Sequence, residues 1–175
     1  AAKAHFQTNF FGVMQLMQEV LPLMQKQNAG QIINITSIAG YMGLPFRGYY
    51  SASKSALITL TEALRLELKH TQIKVSCLAP GDFATNIAAG RFTVKPKAES
   101  PYFETYSSSL QLMNSHVDEA EDPIAVAQSI LKIIQQNKPK VHYNVGNTLQ
   151  KLSVFLKGIL PNKVFENMLA KHYKL

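Results

Sequence analysis

The sequence predicts an α/β protein built on a parallel sheet of about three strands. Residues 31–36 and 73–79 have the β-branched, nearly continuous apolar character of buried strands, and a shorter strand is predicted at 140–145. Segments with helical spacing of apolar residues separate them. Strand–helix–strand–helix–strand order is typical of a parallel sheet with crossover connections. A chain of 175 residues, 46% of them apolar, is long enough to bury one core.

A helical pattern over residues 4–27 precedes the first strand. Its apolar residues recur at the spacing that places them on one wide helical face: Phe6, Phe10, Val13, Met14, Met17, Val20, Leu21 and Met24. Pro22 lies inside this pattern, so a kink or a boundary is expected there. Asn28-Ala29-Gly30 ends the helix, and Gly30 is the residue suited to a left-handed cap.

Turn residues separate the elements of the middle of the chain. Residues 37–49 contain Gly40, Gly43, Pro45 and Gly48 and are expected to form a loop. Helical spacing returns from Tyr50 to about Lys69. Pro80-Gly81 ends the second strand, and residues 82–119, which are rich in Ser, Pro and Thr, are expected to be irregular.

The last third of the chain is predicted to be mostly helical. Asp122-Pro123 is a helix start, with an acidic cap and proline at the first helical position, and this helix is expected to run to about Gln136. Residues 147–172 are predicted to form one or two amphipathic helices that are split near Pro161.

The predicted sheet has an unusual edge. With three strands only, the first strand would be an exposed, apolar edge, and proteins usually protect such edges. We therefore expect that sequence upstream of residue 1 supplies its neighbour.

Composition excludes several classes of protein. The net charge of +7 comes almost entirely from residues 136–175, which hold seven lysines and one acidic residue, Glu166, so the domain as a whole does not predict nucleic-acid binding. The single cysteine, Cys77, excludes a disulfide scaffold and predicts a reducing, cytoplasmic setting. The five histidines are dispersed, so no metal site is predicted, and no apolar run is long enough to span a membrane.

Tyr50 and Lys54 carry the clearest chemical signal. Residues at positions i and i+4 share one helical face, so a phenol and an ammonium lie together there. A nearby cation favours the phenolate, and such a tyrosine can exchange a proton with an alcohol or a ketone. Ser37 follows the first strand, at the edge of a parallel sheet where ligands bind, and its hydroxyl can contact a substrate oxygen.

These residues resemble the short-chain dehydrogenase/reductase family. Tyr50 and Lys54 match the family's Tyr-x-x-x-Lys pair, and Ser37 looks like its catalytic serine. Asn9, in Thr8-Asn9-Phe10-Phe11-Gly12, looks like its helical asparagine. Pro80-Gly81-Asp82-Phe83-Ala84-Thr85 resembles its Pro-Gly-x-x-x-Thr segment. One such motif is a weak signal, but four in order with the family's spacing are a specific one, and the resemblance runs over nearly the whole chain.

The resemblance implies a Rossmann-like, doubly wound sheet and NAD or NADP as cofactor. It implies that Tyr50 is the general acid/base, that Lys54 assists it and binds the nicotinamide ribose, and that Ser37 orients the substrate carbonyl. By the same resemblance Asn9 holds a water that relays protons. The implied cofactor-binding residues are Tyr50, Lys54, Pro80, Gly81, Phe83 and Thr85. The implied reaction interconverts a secondary alcohol and a ketone by hydride transfer.

The family's N-terminal half is missing from this sequence, including its glycine-rich turn. Residues 1–146 are accordingly interpreted as the C-terminal portion of a dinucleotide-binding domain, and 147–175 as a helical extension. The chain as given is expected to be inactive without that half. A different class remains open, namely a truncated, cofactor-less fragment with only a folding or dimerisation role.

Three further expectations concern partners. Residues 86–118 correspond to the family's substrate loop, and their apolar residues, together with those of the 37–49 loop, suggest a hydrophobic substrate: Phe92, Pro101, Tyr102, Phe103, Tyr106, Leu110 and Met113, with Met42, Leu44 and Phe46. The helices at 4–27 and 50–69 are expected to form a homodimer or tetramer contact. Residues 149–163 form a basic amphipathic segment, for which a peripheral membrane contact is the less favoured alternative to packing on the domain or a partner.

Overall fold

Three parallel strands form the sheet, in the order β1-β2-β3. The computed structural model describes residues 2–85, 97–118 and 120–175, with the backbone alone for 116–118. The strands are β1 (Gly30–Ile35), β2 (Ile73–Pro80) and β3 (His142–Val145). Ile32 pairs with Val75 and Cys77 with His142, both in parallel register. The three strands predicted from the sequence, and their parallel arrangement, are confirmed.

The N-terminal helical region consists of three consecutive segments. They are α1 (Ala2–Phe6), a π-helical turn (Gln7–Phe11) and α2 (Gly12–Gln27). In the π-helical turn the chain carries an extra residue, so the Gly12 N–H donates to the oxygen of Gln7, five positions back. The sequence pattern predicted a single helix here, because one inserted residue hardly disturbs the apolar spacing.

α2 continues through Pro22, and its left-handed cap differs from the prediction. Pro22 neither breaks nor bounds the helix, which continues to Gln27. Buried Met17 and its half-buried neighbours hold both sides of the proline against the core, and this packing outweighs one lost hydrogen bond. The left-handed cap is Asn28, with φ of 45°, whereas Gly30 begins β1.

Helices cover both faces of the sheet, as the doubly wound fold requires. The other helices are α3 (Gly48–Glu67), α4 (Phe103–Asp118), α5 (Ile124–Ile134), α6 (Thr148–Ile159) and α7 (Asn162–Tyr173). α2 and α3 cover one face through a core cluster of Met17, Ile32, Leu57, Leu64, Leu68, Ile73 and Val75. On the other face, Gln31 of β1 donates to the oxygen of Ile133 in α5.

α4 corrects the expectation that residues 82–119 are irregular. Serines and threonines compete with the backbone for hydrogen bonds and lower the helical signal. Tyr106, Leu110 and Met113 nevertheless stand at helical spacing, and Met113 is buried. This apolar spacing could have predicted the helix.

A second core cluster lies under the C-terminal helices. Phe165 of α7 is buried with Ile38, Met42 and Ala79. Val154 and Leu156 of α6, and Leu160 directly after it, pack against them. Proline separates α6 from α7 as predicted, and Asn147 caps α6 by accepting from the Gln150 N–H. Within the described ranges, no helix is long and apolar enough to cross a bilayer, and no group of three metal-ligating side chains is found.

Candidate functional site

The candidate site lies where the strands end. Parallel strands bring their carboxyl ends to one edge of the sheet, and Ser37 follows β1 there while Pro80 ends β2. Ser37 caps a single 3₁₀ turn (Ile38–Gly40), because its Oγ accepts from the Ala39 N–H at 3.2 Å. The same Oγ donates to the oxygen of Pro80 at 3.4 Å. The predicted serine therefore contacts the predicted Pro-Gly segment directly.

Lys54 of α3 reaches across to the end of β1. Its Nζ donates to the oxygen of Ile35 at 3.0 Å, two residues before Ser37. The ammonium also lies 6.0 Å from the centre of the Tyr50 ring, which is the arrangement expected from their i, i+4 spacing. Burial lowers the pKa of Lys54, because the charged form is the more costly to desolvate.

Gly40 allows this close approach of α3. A Cβ at position 40 would lie 2.8 Å from Ile58 Cδ1 and 3.1 Å from the backbone carbon of Lys54. A glycine in the turn after Ser37 thus sets how near the helix carrying Tyr50 and Lys54 can come to the sheet edge.

Asn9 lies in the π-helical turn and is linked to Tyr50 through a histidine. Its Nδ2 donates to the oxygen of His5 at 3.1 Å and lies 3.3 Å from His5 Nε2. The His5 ring meets the Tyr50 ring edge-on, with centroids 5.9 Å apart. Sequence reasoning missed His5 as a neighbour of the site. Its i, i+4 spacing to Asn9 was the available signal.

The Pro80–Thr85 segment is anchored to its neighbours where it follows β2. The Gly81 N–H donates to the oxygen of Val145 at 2.8 Å, which ties the segment to β3. Phe83 is buried and forms an isolated bridge with Glu121. The side chain of Thr85 is exposed. Residues 86–96, which include Phe92 of the predicted substrate loop, lie outside the described ranges.

Aromatic rings join the loop that precedes α3 to the start of α4. Phe46 lies in the loop between Ser37 and Tyr50. Its ring centroid is 5.2 Å from that of Tyr106 in α4 and 6.4 Å from that of Tyr102, which directly precedes α4. Phe46 holds a φ of 57°, a conformation that side chains rarely adopt. Met42, which the sequence suggested for the same apolar wall, is instead buried in the C-terminal cluster.

A second polar group lies behind the site, between α3 and β3. The Nδ1 atom of His142 is 3.1 Å from Cys77 Sγ and 3.2 Å from Tyr41 Oη, and its Nε2 is 3.0 Å from Glu62 Oε1. Burial raises the pKa of the Cys77 thiol to about 11, and burial also raises the pKa of the Tyr41 phenol. Cys77 is buried as predicted, but it also takes part in this polar network.

A family profile described as short chain dehydrogenase matches residues 1–95, more than half of the chain. The chain belongs to the short-chain dehydrogenase/reductase family. It is 36% identical over 169 residues to 3-ketodihydrosphingosine reductase of Bacteroides thetaiotaomicron, covering 96% of this chain and 63% of that protein. It is 31% identical to an uncharacterized oxidoreductase, YusZ, of Bacillus subtilis, covering 97% and 61%. The chain thus spans less than two thirds of the length of these relatives.

Solved structures of the family match the fold over most of the chain. A short-chain dehydrogenase from Streptomyces avermitilis has a TM-score of 0.70 at 27% identity, covering 97% of this chain and 59% of that one. A family member from Burkholderia phymatum, solved in complex with NAD, has a TM-score of 0.67 at 26% identity, covering 86% and 55%. The incomplete Rossmann-like sheet predicted from the sequence is therefore confirmed.

Proposed function

We propose that this chain carries the catalytic part of an NAD(P)-dependent oxidoreductase that interconverts a secondary alcohol and a ketone. The observation that carries the proposal is the placement of Lys54 between the end of β1 and the Tyr50 ring. That arrangement puts a fixed cation beside a phenol at the sheet edge where parallel α/β folds bind ligands.

The residues present fit a nicotinamide cofactor. An ammonium has three donors, and the oxygen of Ile35 takes one from Lys54, so others are available to ribose hydroxyls and to the Tyr50 oxygen. When bound, the cofactor supplies the hydride acceptor and donor. Pro80, Gly81, Phe83 and Thr85 are the proposed contacts on the strand-end side, and Gly81 is anchored there by its bond to Val145.

In the proposed reduction Tyr50 donates its phenolic proton to the carbonyl oxygen of the ketone. Lys54 stabilises the phenolate that is left, since opposite charges a short distance apart attract. Ser37 Oγ donates a hydrogen bond to the carbonyl oxygen of the ketone. To do so it gives up its weak 3.4 Å hydrogen bond to the oxygen of Pro80. Asn9 supports the return of a proton to Tyr50 through a bound water. Oxidation of the alcohol runs through the same groups in reverse.

The substrate we propose is an apolar ketone or alcohol. The ring of Phe46 contacts the rings of Tyr102 and Tyr106, and Phe46 lies four residues before Tyr50, so this aromatic cluster is the proposed apolar wall of the site. A relative sharing 36% identity is named for a ketone with a sphingoid-base skeleton, 3-ketodihydrosphingosine.

In this proposal residues 1–146 belong to the dinucleotide-binding domain and residues 147–175 form a helical extension. The cytoplasmic setting stays a prediction.

The test is oxidation of NADH and NADPH by the natural full-length protein with a panel of short- and long-chain ketones, with products identified by mass spectrometry. We expect ketone-dependent cofactor oxidation that rises with chain length. Ser37→Ala should lower the rate by about a hundredfold or more, and Ser55→Ala, an exposed serine on α3, should leave it unchanged. Failure of every ketone with both cofactors, or full activity of Ser37→Ala, would refute the proposal.

A further inference from the structure

α6 carries an apolar stripe that faces solvent. Leu149, Leu152, Phe155 and Ile159 are 67%, 44%, 62% and 59% exposed, respectively, in the described part of the chain. Their spacing of three or four residues places them along one side of the helix. We call these four residues the C-terminal stripe.

The stripe adjoins the side through which α6 packs on the protein. Val154 and Leu156 of the same helix, and Leu160 directly after it, contact the cluster around Phe165 and Ile38. An ordinary surface helix has one apolar side and one charged side. On α6 the apolar face extends beyond the part that packs on the protein, because exposed Leu152 stands four positions before packed Leu156. Contiguous exposed apolar areas of this kind mark sites of interaction.

The charges around the stripe are almost all positive. α6 contains no acidic residue, and its exposed Lys151 lies at the border of the stripe. Residues 147–175 hold five lysines and a single acidic residue, Glu166, which pairs with Lys163 at 3.3 Å. Two copies of the chain meeting through this side would bring like charges together, which is unfavourable, whereas an anionic surface complements it.

We propose that the C-terminal stripe docks on an anionic lipid membrane, with α6 lying in the plane of the interface. The four apolar side chains enter the headgroup and acyl boundary, and the lysines of residues 147–175 contact lipid phosphates. Because the inward side of α6 contacts the turn that follows Ser37, docking places that turn about one helix diameter, ~10 Å, from the lipid boundary. This inference does not depend on the proposed reaction.

The test is flotation of the natural full-length protein with phosphatidylcholine vesicles, with and without about one third phosphatidylglycerol. We expect partitioning onto the anionic vesicles that weakens in high salt. Phe155→Ser should lower the partition coefficient by about tenfold, and Phe155→Leu, its matched control, should retain it. Lys151→Gln should weaken binding to anionic vesicles, and Lys151→Arg should not. Since both positions are exposed, the variants are expected to keep the circular dichroism spectrum and Tm of the parent.

Three results would overturn the proposal. One is a folded protein that does not float with anionic vesicles. Another is unchanged partitioning of Phe155→Ser. The third is a lower oligomeric mass for the Phe155→Ser variant than for the parent protein, because the stripe would then be an interface between chains.

Discussion

At the residue scale, a buried polar contact fixes α3 over β1. Asn34 and Thr61 are both buried, and Asn34 Nδ2 donates to Thr61 Oγ1 at 2.8 Å. Thr61 Oγ1 donates in turn to the oxygen of Leu57 at 2.7 Å. An amide inside an apolar strand is tolerated only where such a partner exists. The bond helps to fix the position of the helix that presents Tyr50 and Lys54.

Removing one partner of this contact should cost more than removing both. We expect Thr61→Val to lower the free energy of unfolding by about 1–3 kcal/mol, because the Asn34 amide is left without its acceptor. The double variant Asn34→Leu/Thr61→Val should recover part of that loss. Urea unfolding of Thr61→Val, Asn34→Leu and the double variant measures the coupling between the two side chains. Additive losses would show that the two side chains do not interact.

The Cys77 thiol should make stability depend on pH. Burial raises its pKa from the ordinary 9.0 to about 11, so the folded protein holds this proton more tightly than the unfolded chain. The resulting stabilisation is fully present below pH 9 and is lost as the pH rises towards 11. The Tm of wild type minus that of Cys77→Ala should be constant from pH 7 to 9 and should then shrink. A difference that stays constant up to pH 11 would contradict this assignment.

The contacts between residues show what the sequence could and could not predict about the site. The spacing of Tyr50 and Lys54 on one helix predicted their proximity, because helix geometry is local. The contact of Ser37 with Pro80, 43 residues apart, depends on strand pairing and could be expected only from the rule that parallel strands end together. The contact of His5 with Tyr50 requires the packing of two helices, which spacing within one helix does not reveal.

At the scale of elements, the strands were predicted better than the helices. Continuous β-branched runs followed by Pro-Gly or loop signals mark buried strands clearly. α4 was missed because its serines and threonines obscured the apolar spacing of Tyr106, Leu110 and Met113. The π-helical turn at Asn9 has no sequence signature, and tertiary contacts keep α2 continuous through Pro22.

The packing of α3 against the turn after Ser37 can be tested at Gly40. A Cβ there would press on Ile58 and on the backbone of Lys54, whereas a Cβ at Gly43 would meet nothing within 4 Å. We expect Gly40→Ala to lower the free energy of unfolding by about 1–3 kcal/mol, and Gly43→Ala to change it little. Thermal unfolding of both variants compares them directly. Equal stability of the two variants would mean that the helix has room to move.

At the scale of the whole molecule, two surfaces of the described chain lack cover. The outer edge of β1 has no neighbouring strand, because the sheet order begins there. On α2 and α3, the large apolar residues Leu16, Leu23, Tyr49 and Leu66 are exposed. Apolar helix faces and open strand edges of this kind favour association with another chain.

The 175-residue chain should therefore associate in solution. We expect light scattering at micromolar concentration to give at least twice the monomer mass of 19.5 kDa. Leu66→Lys should lower that mass if α3 forms the contact, because a charge would be buried between chains. A mass of 19.5 kDa for the parent chain would contradict the prediction, and a dimer that Leu66→Lys leaves intact would place the contact elsewhere.

Tyr50 is the proposed proton donor of a nicotinamide-dependent reaction, and the neighbouring exposed Tyr49 provides a matched control. The measurement is kcat/KM for ketone reduction by the natural full-length protein and its Tyr50→Phe and Tyr49→Phe variants, with cofactor affinity measured by fluorescence. We predict a loss of about a hundredfold or more for Tyr50→Phe with cofactor affinity largely retained, and wild-type values for Tyr49→Phe. If Tyr50→Phe kept more than about a tenth of wild-type kcat/KM, a change of less than ~1.4 kcal/mol in the barrier, the claim would be contradicted.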